Sequence, residues 1–145
     1  MEEKRTLGRE IIVSSNLIKR GLSQTAEFDQ LEHLTGTHGW VIKYLYDNRE
    51  RDVFQRDIES EFSIRRSTVT GILQCMEKNE LIKRQSVEND ARLKKLVLTN
   101  KAIQIQCKVE ETIAEFEKNL SDGITQEERE VFFRVTEKIR QNLGE

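Results

Sequence analysis

Between positions 54 and 84 the chain reads FQRDIESEFSIRRSTVTGILQCMEKNELIKR, and no other stretch limits the available folds as much. Two short helical patterns flank a tight polar break. In the first, Ile58 and Phe62 are four apart and share a face, while Gln55, Arg56, Glu59 and Glu61 point elsewhere. In the second, Val69, Ile72, Leu73 and Met76 follow i, i+3, i+4, i+7 spacing, which predicts one buried stripe. The opposite face carries Ser67, Thr70, Gly71, Gln74 and Lys78, with Arg65, Arg66 and Thr68 at its N-terminal end. Short hydroxyls, an amide and a glycine let a helix approach a double helix closely, and the arginines sit where a recognition helix meets base edges and phosphates. A helix that covered another protein would present larger apolar groups there. An ordinary surface helix pair with a solvated polar face is the bland reading of any such stretch.

The next segment argues against the bland reading. Residues 81–87 (LIKRQSV), the polar tip 88–92 (ENDAR) and residues 93–99 (LKKLVLT) predict a β-hairpin around an Asn-Asp turn. Lys83, Arg84, Arg92, Lys94 and Lys95 place positive charge along it. A hairpin tipped with arginine directly after a candidate recognition helix is what a winged helix requires, because the wing reaches the adjacent minor groove or backbone. Asn79, which tolerates the left-handed conformation, is expected to end the helix between them.

Around this centre the pattern is helical. Residues 7–31 predict a long helix with Leu7, Ile11, Ile18 and Leu22 on one stripe, broadened by Ile12, Val13, Leu17 and Phe28. So wide an apolar face needs more than one neighbour. The sequence LTGTHG at 34–39 reads as cap and turn chemistry, with a second helix starting at Trp40. His33 and His38 flank this break and read as loop or cap residues, since no third metal ligand stands at helical spacing. After Thr99 another long stripe is expected through Ile103, Cys107, Ile113, Phe116 and Leu120. A capping box, Thr125-Gln-Glu-Glu, opens a last helix with Phe132, Val135, Ile139 and Leu143 in line. These flanking helices exceed what a winged helix needs for its own core, and the economical explanation is burial against a second copy.

At 145 residues, 36% apolar and 34% charged, the chain is long enough for one domain with an appended oligomerisation element. The absence of proline leaves long helices open. No run approaches a membrane span and no signal-like core follows the charged start, so a cytoplasmic protein with no membrane partner is expected. Net charge is −2, yet residues 64–95 hold eight Lys/Arg against four acids, whereas residues 103–145 hold six against ten. The basic footprint is local. Cys75 and Cys107 lie far apart without metal-ligand spacing and read as packing residues, with an oxidation sensor as the alternative for Cys75 beside its basic neighbours. No phosphate-cradling glycine loop, metal cluster, cofactor motif or nucleophile-base pair is visible, which argues against an enzyme.

Taken over nearly the whole chain, the order of these segments resembles the MarR (multiple antibiotic resistance regulator) family. The resemblance is carried by LTGTHGWVIKYL (34–45), by residues 55–84, and above all by NDARLKKLVLT (89–99), with Asp90-Ala91-Arg92 as the wing tip and Leu98-Thr99 as the strand end. It implies a mainly α fold with a small β-hairpin wing, an α+β winged helix-turn-helix. One domain, 1–145, would hold a DNA-binding lobe at about 35–99 and dimerisation helices at 1–32 and 100–145. By the same resemblance Arg65, Arg66, Ser67, Thr68, Thr70 and Gln74 face the major groove of double-stranded DNA. Arg92 enters the minor groove, Asp90 holds the wing, and Lys94 adds charge beside it. A homodimer, a roughly palindromic operator, repression and a small-molecule effector complete the implied picture, with no metal or cofactor. His33, His38, Trp40 and Tyr44 are candidates for the effector cleft and serve equally as core and turn residues. A winged-helix module that binds an acidic protein is the rival from another class.

Overall fold

The computed structural model describes residues 5–23 and 36–145. In order they form α1 (Leu7–Ser23), α2 (Gly36–Asp47), α3 (Gln55–Glu61) and α4 (Arg66–Lys78). There follow β1 (Ile82–Val87), β2 (Asp90–Leu98), α5 (Asn100–Leu120) and α6 (Gln126–Asn142). This is the mainly helical, hairpin-bearing architecture of a winged helix. The helix expected over 7–31 is found as far as Ser23; its remainder, with Phe28, lies outside the described residues, as does His33.

The chain divides into two compact units, Met1–Ile113 and Ala114–Glu145. In the first, one apolar core is assembled from Val41, Ile42 and Leu45 of α2, Ile58 of α3, and Val69, Leu73 and Met76 of α4. Val53 before α3, Leu81, Ile82 and Leu96 at the base of the hairpin, and Ala102, Val109 and Ile113 of α5 complete it. Each large side chain buried this way contributes about 1.5–3 kcal/mol. The predicted stripe of α4 is therefore the buried one, with Ile72 packed half-buried beside it.

Three details differ from the sequence expectation. The second helix starts at Gly36 rather than Trp40, so the glycine-rich LTGTHG segment is partly helix and His38 is buried on it. Burial beside Val41 and Ile42 outweighs the ~1 kcal/mol that a helical glycine costs. Next, Asn79 at the end of α4 is right-handed (φ −84°), and the left-handed residue is Glu80 (φ 57°). The amides of Glu80 and Leu81 donate to the carbonyls of Glu77 and Met76 at 2.9 Å each, a Schellman closure. Ser63 (φ 48°) closes α3 likewise, with Ile64 N–H donating to Glu59 O at 3.0 Å. Finally, the buried stripe of α5 is Ala102, Gln106, Val109 and Ile113, while Ile103 and Cys107 face outward. A small alanine and a polar glutamine concealed that stripe from any apolar count.

The second unit holds the end of α5, a turn with left-handed Gly123 (φ 73°), and α6. The capping box is present as expected: Thr125 Oγ1 accepts from Glu128 N–H at 3.2 Å, and the Glu128 carboxylate accepts from Thr125 N–H at 2.9 Å. No residue of α6 is buried in the single chain, although Val131, Phe132, Phe133 and Val135 all lie on it. In α1, Leu7, Ile11, Ile12, Val13 and Leu17 are exposed too.

Candidate nucleic-acid interface

Helix α4 is held by its apolar back, which leaves Ser67, Thr68, Gly71 and Gln74 exposed in front and Arg65 and Arg66 exposed at its N-terminal end. Neither guanidinium has a side-chain hydrogen bond or ion pair among the described residues. A Cβ built at Gly71 would meet nothing within 4 Å, so the front is open at its middle. Thr70 behaves differently. It is half-buried, its hydroxyl donates to Arg66 O at 2.9 Å and accepts from Gln55 Nε2 at 2.9 Å. The same Gln55 amide reaches Arg66 O at 3.3 Å, so the first residue of α3 clamps the first turn of α4. Sequence periodicity put Gln55 on an outer face and offered no signal for a contact fifteen residues away.

The wing is tighter at its tip than the sequence suggests. Val87 pairs with Asp90 across a two-residue turn, Glu88-Asn89, and the regular register resumes at Ser86 opposite Lys94. Residues 91–93 therefore form a bulge, which places Ala91 and Arg92 in strand β2 rather than in the turn. Bulges re-aim side chains. Asp90 Oδ1 accepts from Arg92 N–H at 2.9 Å, a local turn that fixes the backbone of the arginine while its side chain stays exposed. The Lys94 ammonium donates across the hairpin to Ser86 Oγ. Behind the tip, Arg84 is tied to Glu77 of α4 at 2.7 Å and Lys95 to Asp52 at 3.1 Å, so these two cations brace the wing. Leu96 N–H donates to Val53 O at 2.7 Å and fastens β2 to the segment before α3.

Of the four candidate effector residues, His33 lies outside the described residues and the other three stand on α2, with Trp40 and Tyr44 four apart on one face. His38 is buried on α2, while Trp40, two residues on and so about 200° around the helix, is half-buried against the core. Tyr44 packs edge-on to Phe62 (ring centroids 5.9 Å), and its hydroxyl accepts from Arg51 at 2.7 Å. Arg51 also donates to Asn48 Oδ1 at 3.0 Å, which ties Tyr44 to the linker before α3. Lys43, on the same helix, reaches Asp47 at 2.8 Å and Glu110 of α5 at 3.9 Å, and the Asp47 hydrogen bond holds its pKa above the ordinary lysine value. Cys75 is half-buried against the core, whereas Cys107 is exposed instead of packed. Among the described residues no group of three or more His, Cys, Asp or Glu could hold a metal ion, and no helix is long and apolar enough to cross a membrane.

A sequence model described as MarR family matches residues 34–93, which span α2 to the wing and include Arg65 through Arg92. The transcription regulator MarR from Oenococcus oeni is 32% identical, with a TM-score of 0.78 over 94% of this chain and 99% of that one. The chain belongs to the MarR family. Two further solved structures are similar over their length. S. aureus MepR, solved as a complex with DNA, has a TM-score of 0.83 at 23% identity, covering 98% of this chain and 99% of that one. The heme sensor PefR from Streptococcus agalactiae, solved with heme, has a TM-score of 0.64 at 27% identity, covering 98% and 95%. MarR-family proteins of this kind are transcription regulators, not enzymes.

Proposed function

We propose that the chain is a sequence-specific DNA-binding repressor that acts as a homodimer on a roughly palindromic operator and is released by a small-molecule effector. One observation carries this reading: the guanidinium groups of Arg65, Arg66 and Arg92 are exposed with no hydrogen bond or ion pair among the described residues, while neighbouring cations are engaged in bracing the wing. In this reading α4 enters the major groove through Ser67, Thr68 and Gln74, with Thr70 holding its first turn. Arg92 enters the minor groove from a backbone pinned by Asp90, and Lys94 contacts phosphate. The uncovered apolar residues of α1 and α6 support assembly of two copies, with residues 1–32 and 100–145 as the dimerisation segments. Twofold symmetry then sets half-sites one helical turn, about 34 Å, apart. Relatives solved with DNA, MepR and a putative MarR-family regulator from Listeria monocytogenes complexed with a 26mer, share the fold. The effector, for which PefR with heme supplies one precedent, must favour one separation of the recognition helices over another.

Selection of bound duplexes from a random DNA pool tests this directly. The expected result is an enriched inverted repeat whose affinity falls steeply with salt, each phosphate contact adding about −0.9 to the log–log slope. A pool that never enriches a motif would overturn the reading.

A further inference from the structure

We infer that Thr99, assisted by Lys101, is the joint through which α5 fixes the direction of α4, and that it thereby makes the regulator selective for the distance between operator half-sites. The inference rests on the dimer-on-operator reading above. The last carbonyls of a helix have no partner inside it. In α4 the Schellman closure takes those of Met76 and Glu77, and the three carbonyls that follow the helix are taken by the start of α5. Asn79 O accepts from Lys101 Nζ at 2.9 Å, Glu80 O accepts from Thr99 Oγ1 at 2.6 Å, and Leu81 O accepts from Thr99 N–H at 3.0 Å.

The Thr99 hydroxyl has a second task. It accepts from Ala102 N–H at 3.2 Å, one of the amides left open at the N-terminal end of α5. A hydroxyl has one proton and two lone pairs. Here the proton is committed to Glu80 O in the turn that closes α4 and a lone pair to the start of α5, so one oxygen ties that turn to the next helix. Ala102 is fully buried, which anchors that first turn in the core. The pairing of Ile82 with Leu98 closes the hairpin immediately above, so the two helix ends meet across a short base. Turning α4 against α5 must break several of these bonds together. Wherever α5 is carried by dimer assembly, α4 follows, so the separation of the two recognition helices is set by the placement of α5, and an effector changes it by moving α5 and not by turning α4 at a hinge of its own.

A merely structural threonine would lower stability and affinity without altering spacing preference. The test therefore uses the full-length protein and duplexes carrying the selected half-sites at their natural separation and with one base pair inserted or removed. One base pair shifts a half-site by about 3.4 Å and turns it by about 35°. Wild type is expected to prefer the natural separation on the order of tenfold or more. Thr99→Val, which keeps the shape and removes the hydroxyl, should reduce that preference to about threefold or less at matched salt, and Thr99→Ser should restore it. Lys101→Met, at an exposed position, should weaken the preference in the same direction and serves if Thr99→Val does not fold. Retention of the full preference by Thr99→Val, or by Lys101→Met in its place, overturns the joint. So does an equal loss of affinity at all separations. A wild-type protein indifferent to separation would remove the dimer-on-operator reading and the joint with it.

Discussion

Ser63 and Glu80 close successive helices of the helix-turn-helix by the same hydrogen-bonding pattern, each in a left-handed conformation that glycine adopts without strain. For an L-residue that conformation costs roughly 1–2 kcal/mol. Glu80 also places a carboxylate near the negative end of the α4 dipole. Glu80→Gly is therefore expected to stabilise the protein by about 0.5–1 kcal/mol, the relief of strain exceeding the extra freedom gained by the unfolded chain. Urea unfolding measures it, and a loss of stability would show that the glutamate has a compensating role. The helix end itself was legible in the sequence to within one residue. Which of Asn79 and Glu80 turns left-handed was not, because that depends on where Leu81 must enter the core. The Gln55 clamp was equally hidden, since the spacing of residues on one helix says nothing about a partner on the next.

The wing shows how an element can be legible in kind and not in detail. Its two strands, its charge and its place after α4 followed from residues 81–99, but the three-residue bulge did not, because strand alternation carries no signal for an interrupted register. The bulge matters because it lets Asp90 hold the Arg92 amide. Arg92→Ala is expected to weaken operator binding by about 1–3 kcal/mol. Asp90→Ala should weaken it less, and in the Arg92→Ala background it should have almost no further effect, since its role is to aim the arginine. A double-mutant cycle by fluorescence anisotropy decides this; additive losses would mean that the two residues act independently. Helix α5 illustrates the opposite error. Its length is clear from the sequence, yet periodicity points its buried face at Ile103 and Cys107, because Ala102 and Gln106 do not register as core.

For the molecule as a whole, the sequence disclosed a surplus of amphipathic helix, and in the single chain that surplus stays uncovered. Phe132 and Phe133 are 61% and 59% exposed, and their rings touch only edge to face at 5.9 Å. If these groups meet a second copy, Phe132→Asp should shift the monomer–dimer equilibrium toward monomer by at least about tenfold and reduce operator affinity with it, because each burial lost is worth about 1.5–3 kcal/mol. Sedimentation equilibrium at micromolar concentration checks this, and an unaltered dimer would place the contact elsewhere. The open space at Gly71 has a different consequence. Since the free protein leaves room for a side chain there, folding imposes almost no veto on what occupies the middle of the probe. A regulator built this way can acquire new reading residues at that point without first weakening its scaffold, and so can drift from one target sequence to another while remaining intact.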